Sequence, residues 1–99
     1  MSKFGDIVNS ELPVLIEFYS DWDEIKEEES ISLLKEVAVA LDGKAKVIKI
    51  DTDKNEVLAK ALRIKSNPTF IIYKNSDMKW RQSGNIDTAS LVEMLEQFV

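Results

Sequence analysis

The chain contains no cysteine and no histidine among its 99 residues. Without a thiol it can form no disulfide, no thiolate nucleophile and no zinc–thiolate site. Without an imidazole, catalysis by a Ser-His-Asp or Cys-His arrangement is excluded, and so are histidine-ligated metals. We therefore expect a protein that is not an enzyme, and we assign it no catalytic residue, no metal site and no cofactor.

An excess of basic charge and a long apolar run are also missing. The sequence carries 13 Lys and Arg against 18 Asp and Glu, which gives a formal net charge of −5. This balance argues against binding of nucleic acid or of an anionic membrane surface, because both favour basic patches. No stretch approaches the roughly 20 apolar residues of a membrane-spanning helix, and the N-terminus lacks a secretory signal pattern. We expect a cytoplasmic monomer.

Short apolar runs alternate with helical patterns over a length that suits one domain. The runs predict four strands, the last of which follows a turn at residues 75–77. In chain order, the predicted strands are 14–19, 47–50, 69–73 and 78–82. A short helix that contains Phe4, Ile7 and Val8 precedes them.

Apolar residues at helical spacing predict a long second helix from about Asp23 to Leu41. The residues expected on its inward stripe are Ile31, Leu34, Val37, Ala38 and Leu41. Gly43, just past the end, is typical of a helix stop. A short helix around 57–62 and a last helix that begins near Asp87 or Thr88 complete the chain.

The predicted order of elements is α-β-α-β-α-β-β-α. A long helix between the first two strands predicts that they run parallel, with a right-handed crossover. The short turn before the last strand predicts an antiparallel hairpin. The sequence therefore predicts an α/β sandwich of three layers, in which helices cover both faces of a mixed four-stranded sheet.

Several stretches resemble landmarks of the thioredoxin family. The strand at 14–19 runs into Ser20-Asp21-Trp22, as the matching strand of that family runs into the tryptophan of its Trp-Cys-Gly-Pro-Cys redox motif. The run 47–53 resembles the family's second core strand with its Asp-x-Asp exit. Asn67-Pro68-Thr69 matches the family's cis-proline followed by threonine, and Gly84 matches a glycine beside the active site. The resemblance implies a thioredoxin-like fold.

The resemblance covers most of the chain, from Pro13 to Val99, and implies a single thioredoxin-like domain over residues 1–99. Only a short segment precedes Pro13. We therefore expect the family's additional N-terminal edge strand to be absent and the sheet to have four strands.

The redox motif itself is lost. Where the family has Cys-x-x-Cys after the tryptophan, this chain has Asp23-Glu24-Ile25-Lys26-Glu27. One extra residue before Gly43 leaves two alignments, so the former cysteines correspond to Asp23 and Lys26 or to Glu24 and Glu27. The family's chemistry is thiolate attack on a disulfide, and none of these residues can perform it. The resemblance implies the fold without the reductase activity.

Carboxylates crowd the start of the long helix. They are Asp21, Asp23, Glu24, Glu27, Glu28 and Glu29, with Lys26 between them. A carboxylate near a helix N-terminus is favourable by a few tenths of a kcal/mol up to about 1 kcal/mol, so capping explains each residue singly. The cluster as a whole exceeds what capping requires. The alternative is a recognition patch for a basic partner or a divalent cation.

Glu17 interrupts the apolar run of the first strand, where an unpaired carboxylate is costly. The thioredoxin family carries a buried aspartate at the matching position, and a lysine near it that matches Lys49. We expect a buried Glu17–Lys49 pair with a structural role beneath the altered loop, and we expect burial to raise the pKa of Glu17.

The residues that match the family's peptide-binding groove are Trp22, Asn67, Pro68, Thr69 and Gly84. Trp22 is equally well explained by packing against the rim of the sheet. Three functions stay open: a redox-inactive module that binds a protein or an extended, basic peptide; a family oxidoreductase by descent alone; and an acidic structural or cation-binding domain. We favour the binding module, because an enzyme lacks its nucleophile and a net charge of −5 is modest for a cation store.

Overall fold

A computed structural model describes residues 3–20 and 23–99 of the chain. In this part of the chain four strands form one mixed sheet. Their bounds are β1 Val14–Tyr19, β2 Lys46–Asp51, β3 Thr69–Lys74 and β4 Asp77–Ser83. The strand order is β2-β1-β3-β4. β1 runs parallel to β2 and antiparallel to β3, and β4 closes an antiparallel hairpin with β3. The predicted mixed four-stranded sheet is confirmed.

Helices cover both faces of the sheet. Their bounds are α1 Lys3–Val8, α2 Glu24–Leu41, α3 Glu56–Ala61 and α4 Thr88–Glu96. α2 and α4 bury one apolar cluster against the side chains of Leu15, Phe70 and Ile72. Side chains of α1 and α3 pack on the opposite face, where Ile16 and Ile71 lie. The alternation of the two faces along β1 and β3 follows from the two-residue period of a strand.

The inward face of α2 differs from the predicted stripe. Its buried residues are Ser30, Leu34, Val37 and Leu41. Ile31 keeps 42% of its surface exposed, and Ala38 is exposed as well. Because Ser30 is polar, the apolar pattern selected its neighbour Ile31 instead, which rotated the predicted stripe by one residue at this end of the helix.

The ends of α2 and the hairpin follow the local chemistry of the sequence. Asp42 ends α2 in the left-handed conformation with φ of 46°, and Gly43 follows at φ of 80°. Asn75 and Ser76 both have positive φ in the turn between β3 and β4, as a tight hairpin requires. Among the described residues, no helix is both long and apolar enough to cross a membrane.

Candidate functional site

The corner before β3 is held by hydrogen bonds across the start of the hairpin. The Asn67–Pro68 peptide bond is cis. Gly84 donates its backbone N–H to the Pro68 carbonyl at 2.8 Å, and its φ of 93° lies in the region that favours glycine. Thr69 lies 3.2 Å from the Ser83 hydroxyl, oxygen to oxygen. These contacts bring three of the predicted groove residues, Pro68, Thr69 and Gly84, to one place.

Asn67 is the residue at this corner whose backbone lacks a partner in the described part of the chain. It is exposed, whereas Pro68 and Thr69 are buried. Among the described residues, no hydrogen bond uses the Asn67 backbone N–H or carbonyl. A Cβ placed on Gly84 would meet no atom of residues 3–20 and 23–99 within 4 Å, so this part of the chain leaves space beside the corner. An extended ligand could therefore form backbone hydrogen bonds with Asn67.

The start of α2 combines capping with exposed charge. Asp23 is the N-cap, and its carboxylate accepts a hydrogen bond of 2.8 Å from the Lys26 backbone N–H. Glu24 and Ile25 are exposed, Ile25 by 70% of its surface. Since the side chain of Asp23 satisfies an otherwise unpaired N–H, the capping interpretation describes this residue well.

Glu27 is committed to the fold rather than to a free acidic surface. Its carboxylate forms a 2.8 Å ion pair with Lys49 of β2. The Lys49 ammonium also lies over the Tyr19 ring, 4.4 Å from its centroid. Glu27 therefore ties the first turn of α2 to the sheet.

Glu17 is buried within β1, with 1% of its surface exposed. The Ser30 hydroxyl of α2 donates a 2.5 Å hydrogen bond to Glu17 Oε1. Burial raises the pKa of Glu17, while the Ser30 hydrogen bond and the charge of Lys49 act in the opposite direction. The Glu17–Lys49 pair stays a prediction, with Lys49 acting on the pKa of Glu17 through its charge. The two residues are register partners in β1 and β2, but Ser30 supplies the hydrogen bond to Glu17 and Glu27 pairs with Lys49.

A cleft of about 230 Å³ opens over Glu17. Its lining residues are Glu17, Lys26, Glu29, Ser30, Leu33, Phe70, Asn85 and Ile86. Phe70 follows Thr69 and Asn85 follows Gly84, so the cleft adjoins the cis-proline corner. The structure thus joins the start of α2, the floor of β1 and the loop after β4 into one surface.

Two residues of the predicted site lie outside the described residues. They are Trp22, which matches the family's groove, and Asp21 of the acidic cluster. Ser30, Asn85 and Ile86 were missed by the sequence reasoning. The sequence did contain an indication for Ser30, because a residue four positions before Leu34 lies on the same face of the helix.

Comparison with known proteins identifies the family. The thioredoxin family model matches residues 1–97. The chain belongs to the thioredoxin family. As a member without cysteine, it cannot perform the thiol–disulfide exchange that depends on thiolates.

Among curated relatives, the chain is similar to the chloroplastic thioredoxin Y of Oryza sativa subsp. japonica, with 35% identity over 96% of this chain and 56% of the relative. It thus spans little more than half the length of that relative. It is also 31% identical to a thioredoxin of Synechocystis sp., over 95% of this chain and 87% of that protein.

A solved structure supports the same fold. The chain is similar to chloroplastic thioredoxin z, with a TM-score of 0.78 and 28% identity over 93% of this chain and 82% of that one. The predicted thioredoxin-like fold is confirmed.

Proposed function

We propose that this chain is a redox-inactive binding module of the thioredoxin family. It binds an extended segment of another protein in a groove formed by Trp22, Asn67, Pro68, Thr69 and Gly84, and it prefers a basic segment. It acts as a monomer and not as an enzyme. The observation that carries the proposal is at Asn67, an exposed residue whose backbone N–H and carbonyl make no hydrogen bond within the described part of the chain.

Backbone N–H and carbonyl groups without a partner are a common recognition element, because they can pair with an extended peptide. Gly84 bonds to the neighbouring Pro68, and no atom of the described residues lies within 4 Å of the position where its side chain would stand. The cysteine chemistry of the family is absent, but this backbone arrangement does not depend on cysteine. Binding can therefore persist where redox activity cannot.

The charge at the start of α2 supports the preference for a basic segment. Glu24, Glu28 and Glu29 are exposed, and no ion pair within residues 3–20 and 23–99 uses them. Asp23 and Glu27 already serve the fold through the cap and the Lys49 pair. The three remaining glutamates are the charges available to steer a cationic partner.

The relatives bear on the proposal without defining it. The description of the thioredoxin z structure concerns type-specific target recognition, which is consistent with recognition of proteins by this fold. The rice relative is chloroplastic by name, whereas we retain the cytoplasm as our prediction for this chain.

The alternative of a cation-binding domain gains no geometric support. Across the described residues, no group of three or more acidic side chains is placed to hold a metal ion. The acidic start of α2 instead divides into a cap, an ion pair and separate exposed glutamates.

The test compares extended peptides of equal length that are basic, neutral or acidic, with binding measured by fluorescence anisotropy. We expect the basic peptide to bind most tightly. Its affinity should fall as salt rises from about 0.1 M to about 1 M, because the screening length shortens from about 10 Å to about 3 Å. Equal affinity for the three peptides, or no binding by any, contradicts the proposal.

A double variant, Glu28→Gln with Glu29→Gln, tests the steering charges. We expect slower association with the basic peptide and a smaller change in dissociation. The matched control is Glu11→Gln with Glu96→Gln, which removes the same charge at exposed positions outside the start of α2. Equal slowing in both variants would assign the effect to net charge alone.

A further inference from the structure

Only one of the two carboxyl oxygens of Glu17 accepts a hydrogen bond from a described residue. Ser30 donates to Oε1, and no described residue donates to Oε2. No buried polar side-chain atom in the described part of the chain lacks a partner, so Oε2 is not sealed in the core. Because Glu17 lines the cleft, its second oxygen is the acceptor that the cleft offers to a ligand.

The size and walls of the cleft suit a single side chain. Its volume of about 230 Å³ is below the roughly 300–1,000 Å³ of small-molecule sites. Leu33, Phe70 and Ile86 supply apolar wall, against which the methylenes of a long side chain can pack.

The net charge of the groups that line the cleft favours a cationic ligand. Glu17 and Glu29 line it together with one cation, Lys26. With Glu17 ionised, these three groups sum to one negative charge. Glu27 and Lys49 also act on Glu17, but they neutralise each other in their own ion pair.

We propose that the cleft receives one arginine side chain of the bound segment, whose guanidinium donates to Glu17 Oε2. Its planar fork leaves further donors for Glu29 at the mouth. This proposal rests on the proposed function, because it assigns one specificity position in the cleft that adjoins the groove.

Binding of arginine is coupled to release of a proton. Burial raises the pKa of Glu17, which favours the neutral form in the empty cleft. A guanidinium in contact with the carboxyl favours the charged form and lowers this pKa. Affinity should therefore increase as pH rises through the titration of Glu17.

The probe is butylguanidinium, with butylurea as its uncharged analogue. NMR detection of the Glu17 side-chain carboxyl carbon reports ionisation at this residue directly. We expect butylguanidinium to lower the titration midpoint of Glu17 in the unaltered protein, and butylurea to leave it unchanged. An unchanged midpoint at saturating butylguanidinium, or equal shifts with both probes, overturns the proposal.

Substitution supplies an independent test. Glu17→Gln should weaken binding of butylguanidinium about tenfold, because a charge-assisted hydrogen bond becomes a neutral one. Glu11→Gln removes the same charge from an exposed position that does not line the cleft and lies outside the start of α2, and it should have little effect. Equal weakening in the two variants would contradict a specific site at Glu17.

The arginine site and the binding module can fail separately. If a basic peptide binds the groove equally well to the unaltered protein and to Glu17→Gln, the arginine site is wrong and the module stands. If butylguanidinium shifts Glu17 but no extended peptide binds, the cleft recognises a cation and the proposed module is wrong.

Discussion

Glu17 shows how one residue can keep a polar group in a core at limited cost. A carboxyl that is 1% exposed is costly when charged. The Ser30 hydroxyl offsets part of this cost with a hydrogen bond, and the charge of Lys49 offsets a further part from a distance. Desolvation is the largest of these influences and raises the pKa of Glu17.

The raised pKa makes stability depend on pH at this residue. Above the usual value of 4.5, the unfolded chain loses the proton while the folded chain retains it, so Glu17 costs stability as pH rises towards its folded pKa. Glu17→Gln removes this titration. We expect its free energy of unfolding, relative to the unaltered protein, to increase from pH 4 to pH 7 in urea titrations. A relative decrease over this range would mean that the pKa of Glu17 is lowered.

Ser30 should matter more than its exposed neighbour on the same helix. Ser30→Ala removes the donor to Glu17, and we expect it to lower the free energy of unfolding at pH 7 by about 1–3 kcal/mol. Ser32 is exposed, so Ser32→Ala is the matched control and should be within about 0.5 kcal/mol of the unaltered protein. Urea unfolding of both variants measures the difference, and equal stabilities would show that the Ser30 bond contributes little.

At the scale of elements, the bounds of α2 could be predicted from the sequence, but its inward face could be predicted only in part. Its bounds follow from Asp23 as cap and Gly43 as stop, both of which are local chemistry. The predicted set of inward residues was wrong at one end, where Ser30 is buried and not Ile31. A pattern of apolar residues cannot identify a buried serine, because its hydrogen-bond partner, the Glu17 carboxyl, lies 13 residues earlier in the chain. The ion pair between Glu27 and Lys49 was missed for a related reason. A competing partner for Lys49, Glu27, lies on an element whose rotation the sequence did not specify.

The cap of α2 gives a prediction at this scale. Asp23→Ala removes the acceptor for the Lys26 N–H, and we expect a loss of about 0.5–2 kcal/mol in the free energy of unfolding. Glu24→Ala is the control, because Glu24 is an exposed acidic residue in the same turn without a side-chain hydrogen bond to a described residue. Chemical denaturation distinguishes them. If Glu24→Ala lowers the free energy of unfolding as much as Asp23→Ala does, the effect comes from the lost negative charge and not from the N-cap hydrogen bond.

For the whole molecule, the directions within two strand pairs could be predicted because each connection restricts the next, whereas the placement of β3 beside β1 was not predicted. The long α2 requires parallel β1 and β2, and the turn at Asn75–Ser76 requires an antiparallel β3 and β4. The cleft could not be predicted in this way. Its walls come from α2, from β3 and from residues 85–86, which meet only after the sheet and helices have packed.

The most direct test of the binding module is a map of backbone amide shifts on addition of the basic peptide. We expect the largest changes at Asn67, Thr69, Gly84 and Asn85, together with the first turn of α2, because these residues border the exposed corner and its cleft. Proline has no backbone N–H, so changes at Pro68 are monitored through the amides of Asn67 and Thr69. Changes confined to residues 44–54 or to α4, with the corner unaffected, would contradict the proposed groove.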